Sequence, residues 1–122
     1  MYPLDSVIQI LDAFLGDAGE EGMDVQVFTA NGTWIRPLTA RVTLAICIGQ
    51  GGGGGGGRSG ATGGGGGGGG GGAYLAAIFP TMTLGVTETV TVGNVANSGA
   101  ATVSGTAGNP TSFGTWLKAW GG

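Results

Sequence analysis

The sequence predicts a mainly β protein: a small β-sandwich-like domain with glycine helices of the polyproline II type, preceded by a short N-terminal α-helix. Three observations lead there. From Met23 onward, apolar residues alternate with polar or small ones over short runs, which is the period of a strand. Two unbroken glycine runs, Gly51 to Gly57 and Gly63 to Gly72, interrupt that pattern, separated only by Arg58-Ser59-Gly60-Ala61-Thr62. Residues 4–15 carry apolar positions spaced by three and four, the period of a helix.

The helix comes first in the chain. Asp5 or Ser6 can cap its start, and Gly16 stands where it would end. Leu4, Val7, Leu11 and Phe14 fall at a/d spacing, and Ile8 and Leu15 widen the stripe. Two heptads are too few for a helix that stands alone. The stripe therefore predicts either docking, on copies of the chain or on a neighbour, or packing back on the chain's own domain. Leu4, Val7, Ile8, Leu11, Phe14 and Leu15 are the candidate docking and oligomerisation residues. Asp17-Ala-Gly-Glu-Glu-Gly22 reads as a polar hinge, which divides the chain into residues 1–24 and a glycine-rich β domain over 25–122.

The strands follow. Residues 24–29 alternate, Asn31-Gly32 is a tight-turn signal and residues 33–36 return, so a hairpin is predicted over 24–36, ended by Pro37. Arg41 to Ile48 is the strongest strand of the chain; its larger apolar residues alternate with smaller ones, as in a strand buried on both sides. Tyr74 to Phe79 is the next strand after the glycine insertion, and Thr87 to Val92 alternates cleanly. Between Gly93 and Pro110 the glycines at 93, 99, 105 and 108 are separated by multiples of three, compatible with a further polyproline II segment or with a plain loop. Phe113 and residues 116–120 close the domain as one strand or two.

The glycine runs admit two readings. Gly-rich linkers behave as random coil. Here the runs lack the Ser, Thr and Glu of solvated linkers and lie between two strongly apolar segments, residues 42–48 and 73–79, which favours order. An ordered glycine run is expected as a polyproline II helix, with three residues per turn and no internal hydrogen bonds. Its amides and carbonyls must then bond to neighbouring segments. The longer run would span roughly 30 Å at that rise.

Composition bounds the chemistry. Glycine accounts for 31 of 122 residues, which leaves few side chains for a core. Domains with thin cores need staples or oligomerisation. Cys47 is the single cysteine and lies in an apolar run, where it reads as a small buried hydrophobe. With no histidine and one cysteine, a structural zinc site is not expected, and oligomerisation remains as the staple. The formal net charge of −3 is unevenly placed: residues 1–24 hold six of the seven acidic residues and no Lys or Arg. Arg36, Arg41, Arg58 and Lys118 are too scattered for a nucleic-acid footprint. No uninterrupted apolar stretch is long enough to span a membrane. Without histidine there is no Ser/His or Cys/His nucleophile pair. Gly57-Arg58-Ser59 lacks the Lys-Ser/Thr step of a phosphate loop. Neither enzyme activity nor a cofactor nor a metal is expected.

Five phrases occur in a fixed order: VQVFTANGTWIRP from Val25, RVTLAICIGQGGGGGGG from Arg41, a glycine run ending in Ala73-Tyr74, VTETVTVGN from Val86 and TSFGTWLKAWGG from Thr111. In this the chain resembles the glycine-rich domain of bacteriophage tail and tail-fibre proteins, including minor tail proteins of phages that infect actinobacteria. The resemblance covers about residues 25–122, and its more specific phrases are Phe28 to Trp34 and Thr111 to Gly114. It departs from the family's pattern at Pro37-Leu38 and at Ile46-Cys47-Ile48. The resemblance implies a structural virion protein at the tail tip or on a fibre, often a homotrimer, in contact with other tail proteins.

The family also includes adhesive parts that touch the host surface, so a second expectation is a tip that recognises a cell-wall glycan. Aromatic faces stack on the apolar faces of sugars. Trp34 and Trp116 read as core, whereas Trp120, beside the terminal glycines, reads as exposed. Arg58, Ser59 and Thr62 lie where the chain must turn between the glycine runs, and with Trp120 and Tyr74 they are the candidate receptor contacts. An ice-binding or matrix protein on polyproline II helices is a third class, but it calls for regular Gly-x-x repeats and disulfides that this chain lacks.

Overall fold

The β-branched and aromatic runs of the chain form eight strands in a computed structural model, which describes residues 7–15, 21–94 and 96–122. They are β1 (Val7–Leu15), β2 (Glu21–Phe28), β3 (Gly32–Ile35), β4 (Ala40–Ile48), β5 (Tyr74–Pro80), β6 (Thr87–Thr91), β7 (Thr111–Phe113) and β8 (Leu117–Ala119). A 3-10 turn over Thr81–Thr83 follows β5. The strands make two four-stranded sheets, ordered β2-β1-β4-β5 and β3-β6-β7-β8, and every pairing is antiparallel. The mainly β, sandwich-like class holds.

The N-terminal helix does not. Residues 7–15 form β1, an inner strand of the first sheet, paired with β2 on one side and β4 on the other. Val7, Ile8 and Ile10 are β-branched and favour extended backbone. Two heptads supply too little helix to oppose eight residue pairs on each side. Val7, Ile8, Leu11, Phe14 and Leu15, the helical stripe of the sequence, thus fall within a strand. The docking helix is therefore withdrawn over these positions; Leu4 lies outside the described residues. The expected boundary at residue 24 falls inside β2, which runs through it.

The hairpin expected over 24–36 is also absent. β2 pairs with β1 and β3 with β6, so the chain passes from one sheet to the other at Thr29–Asn31. Asn31 serves that crossing with its side chain, Oδ1 accepting a hydrogen bond from the Val92 amide at 2.8 Å.

Both sheets contribute to one core. Ile10, Ala45 and Cys47 from the first sheet meet Trp34, Val90, Phe113 and Ala119 from the second, with Leu84 and Val92 beside them. The Trp34 and Phe113 rings meet edge to face, with centroids 5.4 Å apart and planes at 82°. Phe79 of β5 packs against Phe113 at 6.5 Å. The buried hydroxyls of Thr43 and Thr81 bond to each other at 2.8 Å, so neither is buried alone. β4 is buried on one face only: Thr43, Ala45 and Cys47 face inward, while Val42, Leu44, Ile46 and Ile48 are exposed or half-buried.

The two glycine runs leave β4 and return into β5. Gly49, Gly52, Gly55 and Arg58 donate backbone hydrogen bonds to the carbonyls of Ala73, Gly70, Gly67 and Gly64 at 2.7 to 2.9 Å. Gln50, Gly53 and Gly56 donate to Asn109, Thr106 and Val103 on a different segment. The carbonyls of Gly54 and Gly57 accept from Gly99 and Thr102 on a third. Every series advances by three residues, so the first run turns a like face to each neighbour once in three. A Cβ on Gly66, Gly69 or Gly72 would overlap the carbonyl oxygens of Gly55, Gly52 or Gly49, and one on Gly53 or Gly56 would overlap those of Asn97 or Ala100. The glycines spaced by threes downstream meet the same limit: a Cβ on Gly93, Gly99, Gly105 or Gly108 would overlap a neighbouring carbonyl oxygen.

Candidate functional site

Two exposed regions carry the candidate residues, one at each end of the glycine layer. At the far end, Arg58 to Thr62 turn the chain between the runs. The Arg58 amide closes this turn on the Gly64 carbonyl at 2.9 Å. Gly60 has φ +128°, a conformation that favours glycine. Arg58, Ser59 and Thr62 are exposed, and Gly63–Gly71 beside them are exposed as well.

A second turn stands next to the first. The Thr102 amide donates to Gly57 at 2.9 Å, and the Val103 amide closes on Ala100 at 2.9 Å. Thr102 has φ +65° and is the non-glycine residue with positive φ among the described residues. Residues 100–103 thus belong to the tip, which the sequence reading missed. The usable signal was the Ala-Ala-Thr-Val interruption between Gly99 and Gly105.

Tyr74 and Trp120 lie at the other end, where the glycine layer joins the sheets. The Ala73 amide donates to the Trp120 carbonyl at 2.8 Å, and Ala73 accepts from Gly49. Between the Arg58–Gly64 bond at the tip and the Gly49–Ala73 bond at the base stand those of Gly55 with Gly67 and Gly52 with Gly70, so the whole run separates the two ends. The five candidate contacts therefore do not form one site: Arg58, Ser59 and Thr62 are at the tip, Tyr74 and Trp120 at the base.

Trp120 is 62% exposed, as expected, and Lys118 Nζ sits 3.9 Å above its ring in a cation–π contact. Trp34 is fully buried, as expected. Trp116 is not core: it is 43% exposed, its Nε1 donates to Glu88 Oε2 at 2.9 Å and its ring meets Phe79 edge-on at 5.9 Å. The indole N–H draws the ring to the carboxylate at the rim, where a polar tip stays wet. Arg36 is engaged as well, donating from Nη1 to the Leu84 carbonyl at 3.0 Å.

Among the described residues no group of three or more His, Cys, Asp or Glu could hold a metal ion. Cys47 is buried, and burial pushes its thiol up to about 12. The folded state keeps the proton that the unfolded thiol loses near pH 9. Its contribution to stability is therefore complete below that pH and declines as pH rises toward 12. A thiol reagent at pH 8 is expected to leave Cys47 unmodified in the native protein and to label it fully in denaturant; equal labelling in both would contradict the burial.

No helix among the described residues is long and apolar enough to cross a membrane. No family model matches the chain, and neither the curated proteins nor the solved structures contain a match.

Proposed function

We propose that this chain is a non-catalytic structural protein of a bacteriophage tail, at the tail tip or on a fibre, assembled as a homo-oligomer beside other tail proteins. On this reading the glycine layer is a polyglycine II bundle that extends from the sandwich as a stiff projection, and the trimer implied by the resemblance is its working form. The observation that carries the proposal is the three-residue stepping of hydrogen bonds from the first glycine run to three neighbouring segments. A tether makes no such bonds. A bundle held by its backbone suits a part that must keep its shape and needs no reactive side chain.

Antibody-gold labelling of phage particles from the source tests this, with serum raised against residues 25–122. Gold at the tail tip or along a fibre is the expected result. Unlabelled intact particles, together with a blank blot of denatured virions, would overturn it.

A receptor-binding tip is the second reading, favoured by the exposed Arg58–Thr62 turn. Because Arg58 and Trp120 stand at opposite ends of the layer, their alanine variants are to be tested separately. Host adsorption that falls with Arg58→Ala and is retained with Trp120→Ala is expected of a glycan contact at the tip. Unchanged adsorption with both variants leaves the structural role alone.

A further inference from the structure

We propose that the glycine layer carries an open lane that receives a glycine-rich segment of another polypeptide, in polyproline II form, with the repeat x-Gly-Gly. This property belongs to the layer itself and does not depend on the tail assignment.

The lane is defined by the segment that occupies its base. Trp120, Gly121 and Gly122 enter between the second run and the segment around Gly108, and advance toward the tip. The Ala73 amide donates to the Trp120 carbonyl at 2.8 Å, the Gly122 amide to the Gln50 carbonyl at 2.9 Å and the Gly108 amide to the Gly122 carbonyl at 2.8 Å. A Cβ on Gly121 would overlap the Gly108 carbonyl oxygen, and one on Gly122 that of Gly70. Trp120, by contrast, is 62% exposed. The lane therefore demands glycine at two successive positions and leaves the one before them free to carry a side chain.

Past Gly122 the same walls continue. A groove of about 430 Å³ runs on from Gly122, lined among others by Gly53, Gly55, Gly67 and Gly105. Each of these stands three residues from a counterpart beside Gly122 (Gln50, Gly52, Gly70 and Gly108) and so repeats its orientation one turn further on. The repeat shows in the space around each glycine. A Cβ on Gly70 would meet the Gly122 backbone at 3.6 Å, and one on Gly52 would meet it at 2.7 Å. At Gly67 a Cβ meets nothing within 4 Å, and at Gly55 it comes no closer than 3.8 Å to any atom. Both are glycine although their own chain leaves room for a side chain. It shows again in the hydrogen bonds. Gln50 accepts from Gly122 and Gly108 donates to it, whereas the Gly53 carbonyl and the Gly105 amide have no partner among the described residues. Both residues are half-buried, where backbone groups call for partners. One turn of polyproline II, three residues over about 9 Å, supplies them.

The occupant is x-Gly-Gly because the walls repeat those that hold Trp120-Gly121-Gly122. It comes from a different polypeptide: the glycine segments of a second copy are already bonded within their own layer. Such a segment extends the layer as an added strand extends a sheet edge, through main-chain bonds.

The test is a nuclear magnetic resonance titration of the isotope-labelled full chain with the peptide Ser-Gly-Gly-Ser-Gly-Gly-Lys-Lys, up to a few millimolar. The amides of Gly55, Gly67 and Gly105 are expected to shift, while those of Ser59 at the tip and Val90 in the core stay. A control peptide with alanine in place of each glycine is expected to move none of them. Gly55→Ala/Gly67→Ala places two methyl groups in the lane without touching backbone, and is expected to weaken binding at least about tenfold while its own spectrum stays folded. Gly67→Ala alone replaces it should the pair lose the fold. An unmoved spectrum with the glycine peptide, equal shifts with the alanine peptide, or undiminished binding by the variant would each overturn the lane. Shifts of the same amides with rising protein concentration and no peptide would overturn the choice of partner in favour of a second copy.

Discussion

Gly69→Ala is expected to unravel the glycine layer, whereas Gly68→Ala leaves it standing. The two positions are adjacent and identical in sequence. A Cβ on Gly69 would overlap the carbonyl oxygen and carbon of Gly52, while one on Gly68 meets nothing within 4 Å. Backbone cannot step aside as a side-chain end can, so the overlap is expected to cost about 3 kcal/mol, the upper part of the range for overpacking. That is a large share of the 5–15 kcal/mol that holds an ordinary domain together. Gly68→Ala removes unfolded conformations at no packing cost and is expected to stabilise by roughly 0.4–1 kcal/mol in the dilute chain. An alanine scan of Gly63 to Gly72, read by thermal unfolding, should give minima at 66, 69 and 72. A flat profile would mean that the run is a tether and that the bundle does not form.

Trp34→Ala is the second large effect. Trp34 is fully buried between the sheets and stacks edge to face on Phe113, which in turn meets Phe79. Truncating a buried indole costs about 3–5 kcal/mol. The few large side chains of this glycine-rich core cannot close the cavity. Urea unfolding should show the loss, and Trp34→Phe should recover part of it by keeping a ring against Phe113. A loss below about 1 kcal/mol would mean that the sandwich core is held elsewhere.

Much of the architecture was legible in the sequence, for identifiable reasons. β4, β5 and β6 lie where the apolar runs of residues 41–48 and 74–79 and the alternation of 87–92 placed them, although β4, read as buried on both sides, is buried on one. The spacing of Gly93, Gly99, Gly105 and Gly108 left open a polyproline II segment or a plain loop; at all four a Cβ would overlap a neighbouring carbonyl oxygen. Cys47 and Trp34 are buried, and Trp120 is exposed, as read.

The misreadings came from local signals overridden at a distance. Residues 7–15 carry a helical spacing, yet their pairing with β2 and β4 outweighs what nine residues gain as a lone helix. Asn31-Gly32 carries a hairpin signal, yet β3 finds a better partner in β6, and Asn31 spends its side chain on Val92. Of the candidate site, the sequence identified the Arg58–Thr62 turn. It did not reveal that Tyr74 and Trp120 lie at the opposite end, because that separation depends on the run being extended and held.

By itself, the sequence determined the mainly β class, the absence of histidine, the buried thiol and the need for the glycine runs to be either loose or held by their backbone. Only the tertiary structure decided which strands share a sheet, that β4 is buried on one face alone, and at which glycines of a uniform run a Cβ would meet a carbonyl. The physical reason is the same in each case. Hydropathy period and residue size are local properties, written along the chain. A run of ten glycines has no internal pattern, and Gly69 differs from Gly68 solely by the carbonyl of Gly52 that folding brings against it.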